Sequence, residues 1–236
     1  MSVIFECRKL TKQFGTVTAL NNVDLTLETG RIVGLLGPNG SGKTTLLKLA
    51  NGLLKPTSGE ILINGIKPGP VTKSFVSYLP DANYLMDWMK VSTLVEFFRD
   101  FYRDFDAQRA FDLLADLGVP ADAPLKTLSK GNKEKVQLIL AMSRRAYVYF
   151  LDEPIGGVDP AARDYILGTI LRNYSENALV LISTHLIADV ERVLDEAVLL
   201  NSGMVMDHRP VDDIRETHGM SVDEYFREVF RCSVNY

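Results

Sequence analysis

The stretch GPNGSGKTT, Gly37–Thr45, decides how this chain is read. From Gly37 to Thr44 it fits G-x-x-x-x-G-K-[ST], a pattern whose glycines let the backbone curl so that successive N–H groups point inward at phosphate oxygens. The flanks agree with that reading. RIVGLL (Arg31–Leu36) is a short apolar run of buried-strand type, and Lys43–Leu54 carries Leu46, Leu47, Leu49 and Ala50 at helical spacing. A helix that starts at the loop turns its positive end toward an anion. In that arrangement Gly37, Pro38, Asn39, Gly40, Ser41, Gly42, Lys43, Thr44 and Thr45 surround a nucleoside triphosphate. Lys43 reaches the β- and γ-phosphates, and the Thr44 hydroxyl ligates Mg2+. A glycine-rich strand–helix turn that binds nothing is the competing reading, and both flanks count against it.

The bulk composition narrows the class. With 236 residues, 46% hydrophobic and 24% charged, the chain suits one globular domain, or one domain with an inserted lobe. A formal charge of -4 and the lack of a basic stripe give nucleic-acid binding no electrostatic support. Cys7 and Cys232 are too few for a metal site and are read as free thiols in a reducing compartment. No apolar run approaches the ~18–20 residues that cross a bilayer, and MSVIFECRKL lacks a secretory core. The expectation is a cytoplasmic protein that reaches a membrane only through a separate partner.

Alternating runs at Val3–Leu10 and Val23–Leu27, a turn at Phe14–Gly15 and a short strand at Glu60–Ile63 predict antiparallel β-structure around the loop's strand. Phe75–Leu79 is a further short strand, stopped by Pro80. From about Asn83 to Arg145 the pattern turns helical, with Leu94, Phe97, Phe98, Phe101 and Phe105 in helical recurrence and Asp106 placed as an N-cap. This predicts an inserted helical subdomain over about 83–145. Strands at Tyr147–Leu151, Leu179–Ser183, Ala197–Leu200 and Met204–Met206 alternate with helices, which implies a mostly parallel sheet covered on both faces. A short helical tail is expected over 207–236. Within it Ser221 and Glu224 have capping-box spacing, and Val222, Tyr225, Phe226, Val229 and Phe230 form one apolar stripe, read as docking on its own domain with a partner contact as the alternative.

YVYFLDEP (Tyr147–Pro154) is a second chemical signal: an apolar strand delivers Asp152 and Glu153 to its C-terminal end, where open α/β sheets bind ligands. Asp152 can hold Mg2+, and Glu153 can take a proton from water attacking a γ-phosphate. Further along the chain, LSKGNKEKV (Leu128–Val136) resembles the LSGGQ signature of ATP-binding-cassette (ABC) ATPases, with Lys130 in place of the first glycine and Asn132 in place of the glutamine. GGVDP (Gly156–Pro160) resembles that family's D-loop and STH (Ser183–His185) its switch-histidine segment. Phe14 lies where the adenine-stacking aromatic is expected, and Asp81, after YLP, where the family usually has glutamine. The resemblance covers about residues 3–206.

The resemblance implies an α/β fold with a P-loop NTPase core, an N-terminal antiparallel β subdomain and an inserted helical subdomain. It implies ATP and Mg2+ as cofactors, with Thr44, Asp81 and Asp152 around the metal, and hydrolysis by Glu153 with His185. It also implies a head-to-tail pair of copies. Ser129, Gly131 and Asn132 of one copy then close over the nucleotide held by the other, and Asp159 contacts across the pair. Plain readings stand beside these roles: Ser129 and Asp159 both have N-cap chemistry, and Phe14 could be an ordinary turn aromatic. The expected partner is a polytopic membrane subunit, served by a drug, peptide or antibiotic exporter ATPase. A stand-alone ATPase serving a soluble assembly such as iron–sulfur scaffold machinery is the alternative. The segment NYLMDWMKVS after Asp81 carries Tyr84, Leu85, Met86, Trp88 and Met89, read either as core of the helical lobe or as a docking surface for a short helix of that subunit.

Overall fold

The computed structural model describes residues 2–156 and 160–231. A hairpin of β1 (Val3–Phe14) and β2 (Val17–Glu28) turns at Gly15, whose φ of 58° suits glycine. The third strand of this antiparallel sheet, β4 (Ser58–Ile63), pairs with the other edge of β1. The second sheet has six strands in the order β5-β6-β7-β3-β8-β9. Its strands are β3 (Arg31–Leu36), β5 (Val76–Leu79), β6 (Val148–Asp152), β7 (Leu179–Thr184), β8 (Glu196–Asn201) and β9 (Met204–Pro210). All neighbours are parallel except the hairpin of β8 and β9.

Side-chain alternation along the central strands divides two cores. Val33, Leu35, Leu179 and Leu181 face the antiparallel sheet and enclose α1 (Lys43–Ala50) through Leu46, Leu47 and Leu49. Ile32, Leu36, Val180 and Ile182 face the other way, onto Ile166 and Ile170 of α6 (Pro160–Asn173) and Leu138 of α5 (Lys130–Met142). A short α2 (Pro70–Lys73) leads into β5. The third core is the inserted lobe, where α3 (Val91–Phe101), α4 (Ala107–Asp116) and α5 pack Leu94, Val95, Leu113, Leu114 and Ile139 together. Local capping chemistry sets two of these helix starts: the Asp106 carboxylate accepts from Arg109 N at 3.0 Å and the Ser129 hydroxyl from Asn132 N at 3.3 Å.

Arg144 joins the lobe to the sheet. It is 3% exposed, donates to the Val76, Lys73 and Ser74 carbonyls at the β5 edge, pairs with Asp104 at 2.9 Å and lies 4.0 Å over the Tyr102 ring. After β7 come α7 (Ile187–Val190) and, beyond β9, α8 (Val211–His218) and α9 (Val222–Arg231). The stripe of α9 packs on the chain's own core, as its spacing predicts: Val222 and Tyr225 are buried, and Phe226, Val229 and Phe230 rest against the same cluster.

Several boundaries differ from the sequence reading. The first helix stops at Ala50 rather than Leu54, because Gly52 turns the chain with φ 66°. α5 stops at Met142, three residues short of Arg145, and this frees Arg144 for its carbonyl partners. Phe105 is off the helix, in a bridge with Arg144. The tail becomes helical at Val211, since 207–210 continue β9.

Candidate active site

Parallel strands share one carboxyl-terminal edge, and chemically useful side chains leave the sheet there. β3 feeds the Gly37–Thr45 loop, β5 feeds Pro80 and Asp81, β6 ends on Asp152 with Glu153 next, and β7 ends on Thr184 with His185 next. The register of β6 on β7 sets Asp152 opposite Ser183. Residues far apart in sequence therefore meet without any loop having to reach across the sheet.

The loop and α1 form a cavity of about 190 Å³ whose walls are Asn39–Thr45, Ala19, Asp81 and Glu153. Gly42 is the N-cap of α1 with φ 110°, and a Cβ there would lie 2.6 Å from the Ala19 carbonyl oxygen. A Cβ on Gly37 would sit 2.3 Å from Leu200 O. Both glycines are thus required by close approach, and Gly42 by its positive φ as well. The N-terminus of α1 has no side-chain cap and no acidic residue in its first turn, so its N–H groups are open to an anion. The Ser41 hydroxyl is buried without a partner. Lys43 is buried, and its ammonium donates to Gly37 O at 2.8 Å and Pro38 O at 3.1 Å. Burial holds its pKa below the usual lysine value.

Thr44 Oγ1 donates to Asp152 Oδ1 at 3.2 Å, and Ser183 Oγ donates to the same oxygen. The second oxygen, Oδ2, is buried with no partner, and burial raises the carboxyl's pKa against the two hydroxyl bonds that lower it. An orphaned carboxylate oxygen next to a hydroxyl, beside a phosphate-sized cavity, fits a hard divalent cation such as Mg2+. Glu153 follows with φ 50°, a left-handed conformation that costs a non-glycine residue energy and recurs at functional sites. Its Oε2 accepts from Thr184 Oγ1 at 3.1 Å. Its Oε1 lies 2.9 Å from His185 Nδ1, a hydrogen bond in which the imidazole donates when Nδ1 carries the proton.

Residues 20–156 match the model of the ABC transporter family. The chain belongs to the ABC transporter ATP-binding family. Its similarity to the ABC transporter ATP-binding protein YtrB of Bacillus subtilis (strain 168) is 33% identity over 218 residues, 91% of this chain and 75% of that protein. The SkfA peptide export ATP-binding protein SkfE of the same organism is 28% identical over 234 residues, covering 97% of this chain and 96% of SkfE. A solved structure of the ATP-binding subunit of an ABC transporter superposes with a TM-score of 0.87 at 30% identity, over 96% of this chain and 99% of that one. The cassette is accordingly an ATPase of the kind that hydrolyses ATP to drive transport.

The edge of the sheet brings together the loop residues, Asp81, Asp152, Glu153 and His185. Phe14 stands apart: it is exposed at the end of β1, with the Lys12 ammonium 4.9 Å from its ring, and it is not on the cavity wall. Ser129, Gly131 and Asn132 lie at the start of α5 in the helical lobe, away from that wall as well. Among the described residues, and apart from its chain neighbours and its own helix, nothing lies within 4 Å of a Cβ built on Gly131, so packing against the rest of the cassette does not require glycine there. Lys130 is exposed, with Glu134 3.8 Å away. Asp159 falls outside the described residues. Ser183 and Thr184, which hold the two carboxylates, were legible only as neighbours of His185. Ala19 on the cavity wall carries no sequence signal.

Of the segment after Asp81, Leu85 and Met89 are buried in the lobe's core, while Tyr84, Met86 and Trp88 are exposed. Tyr84 stands in the wall of a second cavity, about 370 Å³, between the lobe and the sheet. Phe98, Tyr102 and Arg144 line it from the lobe side, and Lys48, Lys73 and Tyr78 from the other. No helix among the described residues is long and apolar enough to cross a membrane.

Proposed function

We propose that this cassette powers transport, in the outward direction, through a separate polytopic membrane subunit, and that two copies act together on the cytoplasmic face of the cell membrane. The groove between the lobes carries this reading. Its aromatic walls, with Lys48 and Lys73 at one side, suit a short amphipathic helix presented by another protein. The similarity to SkfE, which is named for peptide export, supports the direction.

At the nucleotide, the Gly37–Thr45 loop and the start of α1 hold the phosphates, and Phe14 stacks on adenine. Lys43 exchanges its two carbonyl partners for β- and γ-phosphate oxygens. Thr44 and Asp152 would hold Mg2+, with Asp81 close by on the cavity wall. The bound ion would neutralise charge on the phosphates. Glu153 takes the proton of the attacking water as the β–γ bridging P–O bond breaks, releasing ADP and phosphate. His185 keeps Glu153 aimed. Ser129, Gly131 and Asn132 of the second copy complete the site, with Asp159 in contact across the pair. The open space at Gly131 is where the second copy's nucleotide approaches. A homodimer makes two equivalent sites.

The test is copurification. Tagged cassette recovered from solubilised membranes should carry a polytopic protein in stoichiometric amount. Phe98→Asp in the groove should release that protein while ATP hydrolysis persists. A partner found only in the soluble fraction, as for a scaffold-assembly ATPase, would overturn the transporter reading. Specific activity should also rise with cassette concentration, and a flat profile would overturn the paired site.

A further inference from the structure

The loop that carries His185 does not hold itself in place. α7 is four residues long and is followed by a single 3-10 turn, Glu191–Val193, too short to be stable without packing. Asp189 and Arg192 pair with Arg163 and Asp164 of α6, and the carboxyl-terminal helix supports the segment from the other side. Ile187 and Val190 of α7 are buried in the same cluster as Val222 and Tyr225 of α9, and Leu186 rests against that cluster. Glu191 Oε2 accepts from Asp223 N at 3.1 Å, satisfying one of the free N–H groups in the first turn of α9. On the far side Tyr225 donates its hydroxyl to Asp207 Oδ2 on β9 at 2.6 Å. The connection continues inward: Leu186 N donates to Thr184 Oγ1 at 3.0 Å, and Thr184 donates to Glu153 at 3.1 Å.

We propose that α9 is a strut for the catalytic edge, and that Glu191 is a positioning residue which, through α9, keeps His185 seated on Glu153. This rests on the reading of Glu153 and His185 as the hydrolytic pair. A misplacement of about 1 Å at such a pair lowers turnover without weakening a phosphate loop built on other elements.

The experiment measures ATP hydrolysis and ATP affinity in the full chain for wild type, Glu191→Ala, Glu191→Gln and Glu153→Gln. Glu191→Ala should lower kcat about fivefold or more with ATP affinity kept within about twofold. Glu191→Gln, which still offers an acceptor to Asp223 N, should restore most of the rate. Wild-type kcat in Glu191→Ala overturns the proposal. So does an equal fall in affinity, which would mark general loosening, or a failure of glutamine to rescue. If Glu191→Ala does not fold, Tyr225→Phe takes its place. Lower kcat at unchanged affinity is expected there, and wild-type kcat overturns the strut. Glu153→Gln reports separately: if it turns over like wild type, the hydrolytic assignment fails and the inference with it. If it is inactive while Glu191→Ala is normal, the inference alone fails.

Discussion

Glu153 and His185 are 32 positions apart in the chain, and their side chains meet at 2.9 Å, with Thr184 on the other carboxylate oxygen. Both oxygens of Glu153 are therefore engaged from the end of one strand, β7. Glu153→Gln keeps the size of the side chain but removes its basicity. It should bind ATP as wild type does and hydrolyse it about a hundredfold or more slowly. His185→Ala should leave Glu153 held by Thr184 alone and give a smaller loss. Single-turnover hydrolysis with a separate binding measurement checks both.

Asp152 predicts a conflict between stability and activity. Burial raises its carboxyl, so the folded cassette retains this proton more readily than the unfolded chain does. The stability this gives is fully present below the unfolded carboxylate range and is lost as pH rises through the raised folded value. Asp152→Asn stays neutral throughout. At neutral pH without nucleotide it should melt a few degrees above wild type (about 2–4 °C per kcal/mol at this size), with the gain vanishing in acid. The same variant should lose Mg2+-dependent hydrolysis. Melting curves across pH, paired with activity, check it.

Asp81 shares the cavity wall with Glu153 and brings a negative charge to the place where the family usually has glutamine. Near Mg2+ that charge helps, and near bare phosphate it repels. The ratio of ATP affinity with Mg2+ to that without should be about three- to tenfold larger in wild type than in Asp81→Gln. Equal ratios would remove Asp81 from the metal's surroundings.

Arg144→Met should cost about 3 kcal/mol, because it strands the partly buried Asp104 and leaves three carbonyls at the β5 edge without their donor. Arg144→Lys should recover only part of this, since an ammonium cannot reproduce the fork of a guanidinium. Chemical denaturation of the three proteins measures the difference.

Features written in adjacent residues were legible from sequence. The loop's glycines, the caps Asp106 and Ser129, the acidic pair closing an apolar strand and the stripe of α9 all follow from local spacing, and the structure places them accordingly. Features that depend on strand order were not. Ser183 reaches Asp152 because β6 lies beside β7, and the segments themselves do not state that adjacency. Arg144 falls within the stretch that reads as helical and carries no signal of its own, and its burial follows from where α5 ends against the β5 edge. The stretch after Asp81 was ambiguous for a related reason. Leu85 and Met89 turn inward and Tyr84, Met86 and Trp88 outward, on a segment with no regular period to announce it.

The Lys43 ammonium, seated on the carbonyls of Gly37 and Pro38, bears on nucleotide exchange. A buried cation with no partner would make the empty loop an unstable intermediate and would tie product release to partial unfolding. Here the loop supplies its own temporary counter-dipoles. If Lys43 holds phosphate oxygens, as proposed, product departure trades those bonds for the two carbonyls rather than leaving a bare charge, and the next nucleotide must displace the same pair.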